Sequence, residues 1–316
     1  MLDASERIPE EMLVRSAQTD ILRILTEASK AQGLTSRWAC AILRIMHILS
    51  HLENDARLDH FHHAREQIFS RLDPHVIQVA GRRSHFGVGP AGIPLVRYLK
   101  KERKDRNSIL IKLLSKPQSI VEEVYDSLGV RFVTETRLDC YRLLQALFSS
   151  GAVCASNIQP GRSLNSLIPI DIFQQSIESI QQELDRGDIS PRQLPKRLKR
   201  FEEEGLVSWS VIRNPSSSRY YRALQFTCRQ LVVAPDPTFK FWTELRETLV
   251  KTKSTAALLR KMPITLRERR CFYYPFEVQI MDKASYVESI GGRSRHREYK
   301  ARQRLMARNR VLRDLV

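Results

Sequence analysis

The chain has 316 residues, 42% of them hydrophobic, enough for one large domain or two modest ones with a real core. Its 52 Lys and Arg against 35 Asp and Glu leave +17, a field that favours phosphate-rich partners, nucleotides and RNA first. No apolar run approaches the roughly 20 residues that span a bilayer, and the opening Met1-Leu-Asp-Ala-Ser-Glu-Arg7 lacks a charged-then-apolar signal, so membrane insertion and export are not expected and a cytoplasmic protein is.

In chain order, residues 9–80 read as helices, with apolar positions at helical spacing in Leu13, Ile21, Leu22, Ile24 and Leu25 and again from Ala41 to Leu49. Residues 1–86 are therefore expected to be an all-helical N-terminal region, and Gly87-Val-Gly-Pro-Ala-Gly-Ile-Pro94 separates it from the remainder, 87–316. Beyond this break the spacing predicts a strand at 128–134, a helix at 137–149, helices near 170–185 and 192–204, strands at 206–213 and 222–233, a helix at 238–261 and a strand at 272–281. A strongly basic helix ends the chain. Runs of this kind make an α+β fold with a mixed sheet. The cysteines, Cys40, Cys140, Cys154, Cys228 and Cys271, are scattered and never in a CxxC pair, so neither a zinc site nor a disulfide framework is predicted.

In Phe276-Glu-Val-Gln-Ile280, alternation puts Phe276, Val278 and Ile280 on one face and Glu277 and Gln279 on the other, which holds a carboxylate on a rigid strand. Gly292, His296, Tyr299 and Lys300 follow. A half-buried strand before a basic helix accounts for the alternation, but not for this Glu, Gln, Gly, His, Tyr and Lys together. The window resembles the "EVQIRT … G … H..YK" signature of RelA/SpoT-type alarmone synthetases, with the matched residues at the family's spacing. Ile120 to Val133, with Leu138-Asp-Cys-Tyr141, is similar to that family's "I.DIYDL.GVRII … DCY". Lys104, Ser108 and Lys112, four residues apart, are similar to its "R.K…S…K" motif. Arg213 to Cys228 resembles its acceptor loop "PK.NGY.SLH.TV".

The resemblance implies a nucleotidyltransferase-like mixed β-sheet flanked by helices, with a helical insertion at about 151–205 that has no counterpart in the family. It implies magnesium on Asp126 and Glu277, the two residues expected to be catalytic. A basic set, Lys104, Ser108, Lys112, Arg131 and the neighbouring Arg103, would hold the phosphates of ATP as donor by point charge and hydrogen bonding. On the acceptor side it implies Tyr221, whose ring offers a stacking platform for a base, with Gln279 and His296.

The implied activity is pyrophosphoryl transfer from ATP to the 3′-hydroxyl of a guanine nucleotide. Two alternatives stay open. One is a toxin-like synthetase acting on the tRNA 3′ end, with tRNA or the ribosome as partner, which the +17 charge and the basic 293–316 tail favour. The other is a catalytically degenerate member that binds RNA or protein, which the departures favour: Glu102 at the arginine position of the donor motif, Gln225 for histidine, Arg219 for glycine, and Met281 and Asp282 for the "RT" of "QIRT". Each residue also has an ordinary reading: a turn carboxylate for Asp126, a solvated basic face for 101–112, a hairpin tyrosine for Tyr221. His47, His51, His60, His62 and His63 lack the His-Asp dipeptide of the family's companion hydrolase domain, and alarmone hydrolysis is not predicted.

Overall fold

A computed structural model describes residues 17–30, 33–53, 59–78, 84–87, 92–101, 105–115, 128–167, 170–204, 220–236, 238–250, 267–292, 296–312 and 315. Among the described residues one sheet runs in the order β1 (Val76–Ile77), β2 (His85–Phe86), β3 (Ile93–Lys101), β4 (Gly129–Thr134), β7 (Arg269–Asp282), β6 (Leu224–Pro235) and β5 (Leu164–Asn165). Neighbours are antiparallel except β4 and β7, which run parallel at the centre. Parallel strands need a long crossover. Here everything from α5 (Arg137–Ser149) to β6 lies between the two in sequence.

Alternation divides the central strands into two faces. Val130 and Phe132 of β4, Phe276, Val278 and Ile280 of β7, and Leu224 and Phe226 of β6 share one core with Ala64, Ile68, Phe69 and Leu72 of α3 (Phe61–Leu72) and Cys140, Leu143 and Leu147 of α5. Those helical positions recur at mainly three- and four-residue steps, the stripe that lets a helix lie on a sheet. A register shift between Leu95 and Arg97 lets Leu95 and Tyr98, an odd number of residues apart, both join this core. The Gln67 amide of α3 brackets the β6 backbone, its Nε2 donating to Val233 O at 2.7 Å and its Oε1 accepting from Val233 N at 3.0 Å.

A second core is made by helices alone. Ile24 of α1 (Ala17–Ser29) and Trp38, Ala41, Ile48 and Leu52 of α2 (Leu34–Glu53) pack with Ile109 and Leu113 of α4 (Arg106–Ser115) and Ala307 and Val311 of α10 (His296–Val311). The first two helices thus bind the C-terminal basic helix to the helix that follows β3.

The α+β class with a mixed sheet is as expected. α5, α6 (Ile170–Asp185) and α7 (Leu194–Glu204) stand where periodicity placed helices, and β4, β6 and β7 where it placed strands. The expected strand at 206–213 and the second half of the helix at 238–261 lie outside the described residues; α8 (Phe239–Val250) is the described part of the latter. The N-terminal region, read as all helical, also contributes β1 and β2. Strands of two residues impose no alternation on a sequence. β3 is not marked in the sequence, because its bulge breaks the two-residue period and Pro94 sits at its start. Nor was α9 (Lys283–Gly291) expected. β7 runs directly into it, and Asp282 caps it by accepting from the backbone N–H groups of Ala284 at 3.2 Å and Ser285 at 3.4 Å.

Phe132 is fully buried, stacked on Tyr98 at 4.9 Å and edge-on to Phe86 at 6.0 Å. Phe132→Ala is expected to remove about 3–5 kcal/mol of stability, read as a lower midpoint with unchanged slope in urea unfolding.

Candidate active site

The opposite face of the same central strands is polar. Register places Lys101, Gly129, Glu277 and Thr227, one from each of β3, β4, β7 and β6, in one cross-strand row, and Leu99, Arg131, Gln279 and Gln225 in the next. At one end Val133, Met281 and Ala223 form a small apolar cluster with Val96, Tyr221 and Tyr286 packed against it.

Glu277 lies at the centre and is 6% exposed. A buried carboxylate is stable as an anion only when charges and donors replace its water, and three side chains supply them directly. Oε2 is ion-paired with Lys101 Nζ and accepts from Gln279 Nε2 at 3.0 Å, while Oε1 accepts from Gln225 Nε2 at 2.5 Å. Arg131 donates to Gln279 Oε1 from Nε at 3.0 Å and Nη2 at 2.8 Å, which turns the Gln279 amide so that its NH2 faces Glu277. The Tyr221 hydroxyl reaches Gln225 Oε1 at 3.5 Å.

Gly129 makes this packing possible. A Cβ there would stand 2.8 Å from the Glu277 carbonyl oxygen and 3.2 Å from Lys101 Cδ. Without one, the lysine stem lies across β4 and its ammonium reaches a carboxylate two strands away.

Tyr221 brings in the C-terminal helix. Burial raises its hydroxyl well above the ordinary tyrosine range; the Arg131 charge opposes that shift, and Glu277 and Tyr299 add to it. Tyr299 therefore lies within electrostatic reach of the network, and its hydroxyl accepts from Gln303 Nε2 at 2.8 Å. One residue on, Lys300 Nζ donates to Ser108 Oγ of α4 at 3.3 Å. Arg131 of β4, Glu277 and Gln279 of β7, and Tyr221 just before β6 thus meet on one face through Gln225, while Lys300 of α10 joins Ser108 of α4.

Of the residues expected at the site, Glu277, Gln279 and Arg131 are in direct contact, and Tyr221 joins them through Gln225. Ser108 is tied to α10. Lys112 is half-buried in the last turn of α4, and His296 opens α10. Asp126, Lys104 and Arg103 lie outside the described residues. Three of the departures have structural explanations. Met281 is fully buried in the small apolar cluster, and Asp282 is a helix cap. Gln225, in place of histidine, donates to the Glu277 carboxylate. The site residues not assigned from sequence are Lys101, Gly129 and Gln225. The usable signal for Lys101 was its place in the two-residue alternation Arg97, Leu99, Lys101, legible only once β3 is known to be a strand.

No protein-family model matches the chain, and no curated protein matches it by sequence. Among solved structures it is similar to the small alarmone synthetase 1 from Bacillus subtilis bound to its product pppGpp, at 11% identity over 70% of this chain and 74% of that one, with a TM-score of 0.30. A second structure of that synthetase matches at 12% identity over 70% and 75%, TM-score 0.27. A GTP pyrophosphokinase family protein from Streptococcus pneumoniae matches at 10% identity over 79% and 82%, TM-score 0.28. Superpositions this loose decide nothing about activity; the side chains of the polar rows have to carry that.

Gly129→Ala is expected to destabilise the protein by about 1–3 kcal/mol, the usual effect of overpacking a close contact. Thermal unfolding should show a lower Tm than for Gly161→Ala, where an added Cβ meets nothing within 4 Å.

Proposed function

We propose that this protein is a pyrophosphokinase, which transfers the β,γ-pyrophosphoryl group of ATP to the 3′-hydroxyl of a guanine nucleotide. The observation that carries this reading is the buried carboxylate of Glu277, paired with Lys101 and held by Gln279, which Arg131 orients, on the polar face of the sheet. That arrangement suits a reaction whose catalysis consists of positioning and charge neutralisation rather than covalent chemistry on the protein.

In this reading the donor's triphosphate lies along the cationic residues, Lys104, Lys112, Arg103 and Arg131, with Ser108 hydrogen-bonding a phosphate oxygen. The acceptor base stacks on Tyr221, and Gln279 and His296 orient the acceptor. The 3′-oxygen attacks the β-phosphorus, the bond from that phosphorus to the α,β-bridging oxygen breaks, AMP leaves, and the hydroxyl proton passes to Glu277. The amides of Gln225 and Gln279 hold that carboxylate in one orientation throughout.

Magnesium, implied by the resemblance at Asp126 and Glu277, finds no ligand set among the described residues. They contain no group of three His, Cys, Asp or Glu side chains placed to hold a metal. Both Glu277 oxygens already accept from protein donors. A hard cation needs open oxygen ligands, so no step above is routed through it.

A second reading takes the tRNA 3′ end as acceptor. The net charge of +17 and the exposed Arg297 and Arg304 on α10 favour it. Among the described residues no helix is long and apolar enough to cross a membrane.

Incubation with γ-labelled ATP and GDP, GTP or bulk tRNA distinguishes the readings. Label is expected in the guanine nucleotide, and Glu277→Gln is expected to lower its formation by about a hundredfold or more. Label in tRNA alone would replace the first reading by the second. No label in any acceptor, with Glu277→Gln folded and unchanged in its effects, would end both and leave a binding protein built on this fold.

A further inference from the structure

The Lys101–Glu277 pair is built for more than holding the sheet together. Lys101 ends β3, and its side chain retains 26% of its exposure while that of Glu277 retains 8%. The lysine stem lies over Gly129, where no side chain anchors it, whereas Glu277 is fixed from the other side by the Gln225 and Gln279 amides. One partner is therefore rigid and the other free to leave on a flexible stem. The ammonium sits on Oε2, so that oxygen is closed to any other cation and to a substrate proton while the pair stands.

We propose that Lys101 is a displaceable internal counter-ion. It masks Glu277 in the free protein and moves to the phosphates of a bound nucleotide, which exposes the carboxylate as a proton acceptor only when the site is loaded. The phosphate chain supplies the charge that draws the ammonium away, and Arg131, fixed on Gln279, stays in place. This deepens the proposed function, on which the proton-acceptor role rests. The exchange of Lys101 between a carboxylate and a polyphosphate does not depend on that role.

The test is a double-mutant cycle read by calorimetric binding of inorganic tripolyphosphate, without acceptor and without turnover. Lys101→Met is expected to weaken binding about tenfold. Glu277→Gln, which releases the lysine, is expected to tighten binding several-fold when Lys101 is present and to have no effect in the Lys101→Met background. Equal tightening in both backgrounds would mean that Glu277 only repels phosphate at a distance, and would overturn the proposal. So would unchanged binding by Lys101→Met, or a lack of binding in both the wild type and Glu277→Gln. Lys101→Met leaves a buried carboxylate without its cation; should it fail to fold, Lys101→Gln, which keeps a donor, takes its place in the cycle. A negative pyrophosphokinase assay alongside a positive cycle would remove the proposed reaction and leave the counter-ion exchange standing.

Discussion

A carboxylate buried on a central strand constrains everything around it. Glu277 has strands on both sides, so solvent cannot stabilise its charge, and the neighbouring strands must. β3 does so with a lysine, β4 with a missing side chain that lets the lysine through, and β6 with an amide. Arg131 acts one step removed, by orienting Gln279. The apolar face of the same strands needs no such agreement, since any well-packed set of aliphatic and aromatic residues would serve, and there helices α3 and α5 complete the core.

The packing of α4 against α10 follows from a separate requirement. α4 and α10 form little of the sheet's core but share their own with α1 and α2, and that second core brings Ser108 and Lys300 together. Arg310 closes the contact, its Nη1 donating to the carbonyls of Leu113 and Leu114 at 3.2 Å each. Those carbonyls belong to the last turn of α4, where the helix runs out of its own N–H donors. At least one arginine of the basic helix is thus a structural donor rather than a ligand for nucleic acid. The N-terminal helices, remote in sequence from every matched motif, accordingly help to hold α4 against α10.

The sequence by itself determined the elements that repeat. Alternation in Phe276–Ile280 fixed which face Glu277 and Gln279 occupy, and helical spacing fixed α5, α6 and α7, because each depends on neighbours a few residues away. Motif order brought Arg131, Tyr221 and Ser108 into consideration as members of one site. Only the tertiary structure decided which side chains meet. Lys101 and Gln225 bond Glu277 across 176 and 52 residues of chain. Their approach depends on the register of β3 against β4 and of β6 against β7, and on a bulge at Leu95–Arg97 that no local pattern marks. A one-residue slip in either pairing would turn these side chains to the apolar face. The charge network of the site is therefore a property of strand register, and the sequence encodes it through the whole sheet rather than through any single motif.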